Sequence, residues 1–124
     1  MSCQASIVVV LLCVASAYAA CDQNSTDKIS ACYKTFLSHY NYDTVLPAYW
    51  DFHGTRKQML FDHGLVVQPN IRDWGRDLVA CMASYYDCVD GSTYVQFSQN
   101  SSDASDWLSD LAVTKYEVSD RGYF

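Results

Sequence analysis

Positive charge is scarce in this chain: eight lysines and arginines stand against 14 acids in 124 residues, a net charge of −6. Proteins that grip nucleic acid by neutralising phosphates need the opposite balance, so the composition argues against a nucleic-acid partner. Proline and glycine are also few, at two and five residues. Low-complexity tracts, repeats and flexible linkers are missing with them, which leaves one domain. The longest apolar run, Ile7 to Ala15, falls well short of the ~20 residues that a membrane span needs. Nor is there a Gly-x-Ser-x-Gly elbow or a phosphate-cradling glycine loop. No two cysteines show the short spacing of zinc ligands, so neither a metal nor a cofactor is expected.

What is present points to a folded, exported protein. Half the residues are hydrophobic and 15% are aromatic, which is incompatible with a disordered chain. The apolar run precedes the small-residue site Ala17-Tyr18-Ala19 and reads as a signal peptide over residues 1–19. Residues 20–124 then form one secreted domain. Loss of the leader removes Cys3 and Cys13 and leaves Cys21, Cys32, Cys81 and Cys88. An even set in an oxidising compartment predicts two disulfides. Asn24-Ser25-Thr26 and Asn100-Ser101-Ser102 are N-glycosylation sequons, in keeping with an extracellular location.

The periodicity is helical nearly throughout. Ile29, Cys32, Tyr33, Phe36 and Tyr40 mark a stripe on a helix over about 27–40, with N-cap side chains at Ser25 to Asp27. Asn41 to Thr44 is turn chemistry. Pro47 suits the first turn of a second helix bearing Tyr49, Trp50 and Phe52, which Gly54 is expected to interrupt. Thr55 restarts a short helix through Met59, Leu60 and Phe61, and Gly64 caps it. After a break at Gln68-Pro69-Asn70, Ile71, Trp74, Leu78, Cys81, Met82, Tyr85, Cys88 and Val89 hold one face over five turns. Gly91 closes that helix, and Ser92 to Phe97 is expected to be a turn or short extended piece. Ser101 or Ser102 caps a last helix with Ala104, Trp107, Leu108 and Leu111 inside. The fold class is therefore all-α: a small disulfide-stapled bundle of four or five helices.

In one helix, Cys81 and Cys88 would have Cα atoms about 10.5 Å apart. A disulfide needs less than about 7 Å, so each must reach another segment. Two pairings satisfy this: nested (Cys21 with Cys88, Cys32 with Cys81) or parallel (Cys21 with Cys81, Cys32 with Cys88). The nested set is favoured because it lets two helices run antiparallel.

Three histidines are the natural candidates for chemistry. Asp51-Phe52-His53 and Asp62-His63 place a carboxylate beside an imidazole, as acid–base catalysis requires, while His39 has no such neighbour in sequence. Thirteen of the 14 acids are aspartate, so such neighbours arise by chance. No catalytic residue is assigned, and the protein is expected not to be an enzyme. Tyr40, Tyr42, Tyr85, Tyr86 and Tyr94 cannot all face inward and suggest a tyrosine-rich contact face.

The layout of Cys21, Cys32, Gly64, Ile71-Arg72-Asp73-Trp74-Gly75-Arg76-Asp77-Leu78-Val79-Ala80-Cys81-Met82, Cys88, Asp103-Ala104-Ser105-Asp106-Trp107 and Thr114-Lys115-Tyr116-Glu117 resembles a large nematode family. It is the family of secreted, cysteine-rich domains known as domain of unknown function nineteen. The resemblance covers nearly all of the chain beyond the leader and implies export, disulfides and no established catalytic residues. Val118 stands where relatives carry a further cysteine, and the chain ends at Phe124 where they run on to another.

Composition, motifs and resemblance together lead to an expected function: non-catalytic binding of an extracellular protein. The alternative is a carrier of a small apolar ligand, with a cavity lined by residues such as Trp50, Phe52, Trp74 and Trp107. A third reading is a hydrolase using His53 or His63 with a neighbouring aspartate.

Overall fold

The structure is a computed structural model, and it describes residues 21–119. The expected leader, with its cleavage site, lies outside the described residues, as do residues 120–124. The described chain forms five α-helices and two short 3₁₀ segments, and no strand occurs among the described residues. No helix among them is long and apolar enough to cross a membrane.

Helix α1, Gln23–Ser38, begins earlier than periodicity predicts, because Asp22 accepts a hydrogen bond from the Ser25 amide at 2.8 Å. That N-cap satisfies one of the amides a helix start leaves unpaired. The helix buries Thr26, Ile29, Cys32, Tyr33, Phe36 and Leu37, the three- and four-residue stripe. It ends where Asn41 adopts a φ of 66°. The Asn41 and Tyr42 amides then donate to the Ser38 and Leu37 carbonyls, both at 3.1 Å, closing the terminus as a Schellman motif.

Helix α2, Tyr49–His63, differs from expectation at both its start and its middle. Pro47 precedes the helix, and Gly54 lies inside it without breaking it. A mid-helix glycine costs only about 1 kcal/mol, less than burial of Phe52 and the pairing of Arg56 return. Nothing local caps this helix. The Asp103 carboxylate, from the last helix, instead accepts from the Tyr49 amide at 2.7 Å, and Trp107 Nε1 donates to the Pro47 carbonyl at 3.1 Å. Gly64 terminates α2 with a φ of 49°, in the left-handed region that glycine tolerates. A 3₁₀ turn, Gly64–Val66, leads on.

Helix α3, Gln68–Met82, takes Pro69 into its first turn, where a missing amide hydrogen costs nothing, so the expected break is the helix start. The five-turn face ends early. Beyond Met82 the run Ala83–Cys88 tightens into 3₁₀ geometry, consistent with the weak helix propensities of Ser84, Tyr85, Tyr86 and Asp87. Gly91 does not close this helix but opens another: α4, Gly91–Tyr94, is capped by Asp90, which accepts from the Thr93 amide at 2.8 Å. It occupies the segment expected to be a turn or extended. Helix α5, Ser101–Glu117, is capped by Asn100 rather than by Ser101 or Ser102, the Asn100 side chain accepting from the Asp103 amide at 2.8 Å.

The disulfides adopt the nested pairing. Cys21 joins Cys88 with Cα atoms 5.3 Å apart, and Cys32 joins Cys81 at 5.8 Å. Helices α1 and α3 therefore run antiparallel and are stapled along their contact. Helix α5 completes the core by inserting Trp107, which meets Tyr33, Tyr49 and Phe52 with ring centroids 5.9, 5.2 and 4.8 Å away. The hydroxyls of Tyr33 and Tyr94 hydrogen-bond at 2.7 Å inside this core, so neither is left dry and unpaired. Helices α3 and α5 approach each other closely at buried Gly75. A Cβ there would lie 2.8 Å from Thr114 Cγ2, so any other residue would force Thr114 or α5 to shift.

Candidate functional site

A cavity of about 230 Å³ opens between α1, α2, α3 and α5. Its position follows from packing. Phe36 and Tyr40 reach it from the end of α1, Arg56 and Leu60 from α2, Ile71, Arg72 and Gly75 from α3, and Asp110, Val113, Thr114 and Glu117 from α5. Because Gly75 has no side chain, Thr114 of α5 comes close to α3 on one side of the cavity.

The walls are mostly apolar, with polar groups contributed by α2, α3 and α5. Arg56 Nη2 donates to Asp110 Oδ1 at 2.6 Å, and Arg56 Nη1 to Asp110 Oδ2 at 3.3 Å, a two-armed pair. The Tyr49 hydroxyl donates to the same Asp110 oxygen at 2.8 Å. Burial opposes the charge on Arg56, but the hydrogen bond and negative charge of Asp110 outweigh it and raise its pKa further. Burial, reinforced by Asp110, pushes the Tyr49 phenol up to about 12. Glu117 is held above the usual carboxylate range, mainly by burial. The Tyr40 phenol is raised as well, again mainly by burial. Tyr40 is only 3% exposed, and its hydroxyl has no hydrogen-bond partner.

At the mouth of the cavity the surface stays apolar. Leu60 and Val113 line it while remaining 39% and 55% exposed. Just beyond Leu60, Phe61, Leu65 and Val66 are 81–85% exposed, a knuckle where α2 turns into α3. Large apolar side chains left this open in one short stretch are the usual mark of an interaction surface.

None of the residues expected to line a ligand cavity borders this one, although Trp74 lines a smaller cleft of about 90 Å³ between α1 and α3. Phe52 and Trp107 pack against each other in the core, and Trp50 lies on the surface. Trp74 stacks on His39, with ring centroids 4.6 Å apart and planes within 9°. Sequence periodicity finds apolar residues but cannot separate those that fill space from those that border it. The tyrosine-rich face fails for a similar reason. Tyr40 and Tyr94 are buried, Tyr42, Tyr85 and Tyr86 are half-buried, and the open aromatics among the described residues are Trp50, Phe61 and Tyr116.

The histidines are also dispersed. His39 belongs to the Trp74 stack, His53 lies against Tyr49 and Trp50, and His63 is exposed at the end of α2. Asp62 accepts from Gln58 at 2.8 Å. Among the described residues, no three or more His, Cys, Asp or Glu side chains are placed to hold a metal ion. Asn24 and Asn100 are both exposed, in the first turn of α1 and at the N-cap of α5. The Arg56–Asp110 pair and the Tyr40 hydroxyl escaped sequence reasoning altogether. The one signal available was a lone arginine at a position where α2 otherwise turns an aromatic face inward.

No family model matches the chain, and no curated protein or solved structure is significantly similar to it.

Proposed function

We propose that this protein is an extracellular, non-catalytic binding domain whose contact surface is the apolar knuckle at the junction of α2 and α3. The observation that carries this reading is the exposure of Phe61, Leu65 and Val66, each above four-fifths, within six residues. Burying three such side chains in an apolar socket on a partner is worth several kcal/mol, and a folded domain otherwise has no reason to leave them open together. Two disulfides suit an oxidising compartment, and the sequons Asn24 and Asn100 sit on exposed surface away from the knuckle in sequence. Secretion through a cleaved leader, glycosylation at those two asparagines and kinship with the nematode family belong to the same proposal.

The test is a photo-crosslinking residue at position 61 in the full secreted chain, exposed to extracellular fluid of its source. A discrete adduct with one protein is expected, and the pair Phe61→Asp and Leu65→Asp should abolish binding to that protein while leaving the melting temperature within a few degrees. Undiminished binding by the double variant would remove this surface from consideration.

A further inference from the structure

We infer that the cavity between α1, α2, α3 and α5 is a binding site for a small neutral amphiphile whose oxygen accepts a hydrogen bond from the Tyr40 hydroxyl. This site is separate from the exposed knuckle and rests on different observations.

The first is the unpartnered hydroxyl. A buried phenol without a hydrogen bond is costly, and a phenylalanine at position 40 would fill the same space without that cost. The Tyr33 and Tyr94 hydroxyls, equally buried, satisfy each other, and the other unpartnered hydroxyl, that of half-buried Tyr86, lies outside the lining of this cavity. Tyr40 borders the cavity, where an incoming acceptor supplies what the protein does not.

Charge selects the ligand class. Arg56 and Arg72 line the cavity, and so do Asp110 and Glu117. Two cations balance two anions, and Arg56 is already committed to Asp110 through both arms. A charged head of either sign would shed its water in a lining whose own charges cancel, and so would not recover the lost hydration. A neutral oxygen avoids that penalty. With its pKa raised by burial, Tyr40 keeps its proton and donates throughout the physiological range.

Size sets the length. A cavity of about 150 Å³ holds benzene, so about 230 Å³ accommodates roughly nine or ten non-hydrogen atoms. A medium-chain alcohol fits, with its tail running along Ile71 toward the apolar mouth at Leu60 and Val113.

The experiment titrates 1-octanol, octane and octanoate into the intact disulfide-bonded protein and follows backbone amide signals by NMR. Octanol should bind saturably, shifting signals of Tyr40, Ile71 and Thr114, and octanoate should bind more weakly. Tyr40→Phe should weaken octanol about fivefold, the usual worth of one hydrogen bond, and leave octane unchanged within twofold. Val113→Trp, at the exposed mouth, should weaken both and guards against a folding defect in the first variant. Absence of saturable octanol binding, equal affinity in Tyr40→Phe, or shifts confined to Phe61, Leu65 and Val66 would overturn the assignment.

Discussion

The α1–α3 contact and the α2 segment are held to the same core by different means. Along α1 and α3, two sulfur bridges enclose Cys32 and Cys88, both 3% exposed, and the adjoining Tyr33–Tyr94 hydrogen bond is fully buried. Helix α2 has no covalent tie. It is held by Phe52 against Trp107, by the Asp103 carboxylate at its first amide, and by the Arg56–Asp110 pair. Its far end then runs out into exposed Phe61, Leu65 and Val66. Cross-linking restricts what the unfolded chain can explore, whereas polar clamps act only in the folded state. A small domain thus combines a covalently fixed half with a half whose position depends on a few side-chain contacts, and both the cavity and the knuckle border the second.

Alkali should erase this difference most completely. Burial raises the phenol pKa of Tyr33, Tyr40 and Tyr94, and burial with Asp110 raises that of Tyr49 to about 12. Below pH 10 these groups are neutral in both states and contribute no pH dependence. Above it the unfolded chain releases protons that the folded protein retains, so stability falls as pH rises. Each phenol costs about 1.4 kcal/mol per pH unit in that window, so four together cost about 5.6 kcal/mol by about pH 11. That matches the lower range of whole-domain stability. Tyrosinate absorbance and far-UV circular dichroism should therefore change together in one cooperative step, and smooth tyrosine titration in a folded protein would contradict the burial argument.

Breaking the covalent half alone comes next. The Cys32–Cys81 bridge spans 49 residues, and its loss should cost about 4 kcal/mol. The double replacement Cys32→Ala and Cys81→Ala, or excess reductant, should unfold the domain at ambient temperature. A cooperative thermal melt retained after full reduction would show that the aromatic core suffices without sulfur.

The smallest of these effects sharpens the comparison from the other side. Arg56→Ala leaves Asp110 with only the Tyr49 hydroxyl as hydrogen-bond donor among the contacts described above. The cost should be about 2–3 kcal/mol, less than for a fully buried pair because 19% and 10% of the two side chains remain exposed. Hydrogen exchange should then rise in α2 well before it rises in α1 and α3. Uniform loosening of all helices would mean that α2 is not separately held.

Much of the bundle was legible along the chain. The stripe from Ile29 to Phe36, the glycine cap at Gly64 and the Asn41 turn are short-range patterns, set by helical periodicity and backbone sterics. Reach narrows the cysteine pairing to two, of which antiparallel geometry favours the nested one that the structure adopts. Errors arose where one element supplies what another lacks. Gly54 looked like a break because its cost is local and its compensation, through Phe52 and Arg56, is not. The N-terminus of α2 had no recognisable cap because its cap is Asp103, 54 residues away. The candidate cavity was misplaced onto Phe52 and Trp107 because aromatic residues signal burial without telling filled space from empty.

The amino-acid order by itself determined that this chain is helical, acidic and cross-linkable, since periodicity, charge and cysteine reach act over distances that a linear pattern encodes. The tertiary structure alone decided which phenols would be left without a hydrogen-bond partner, Tyr40 among them, and which apolar side chains would stay in water. Those outcomes depend on how closely α3 and α5 approach at Gly75 and on where α2 is clamped, and both are properties of several segments meeting at once.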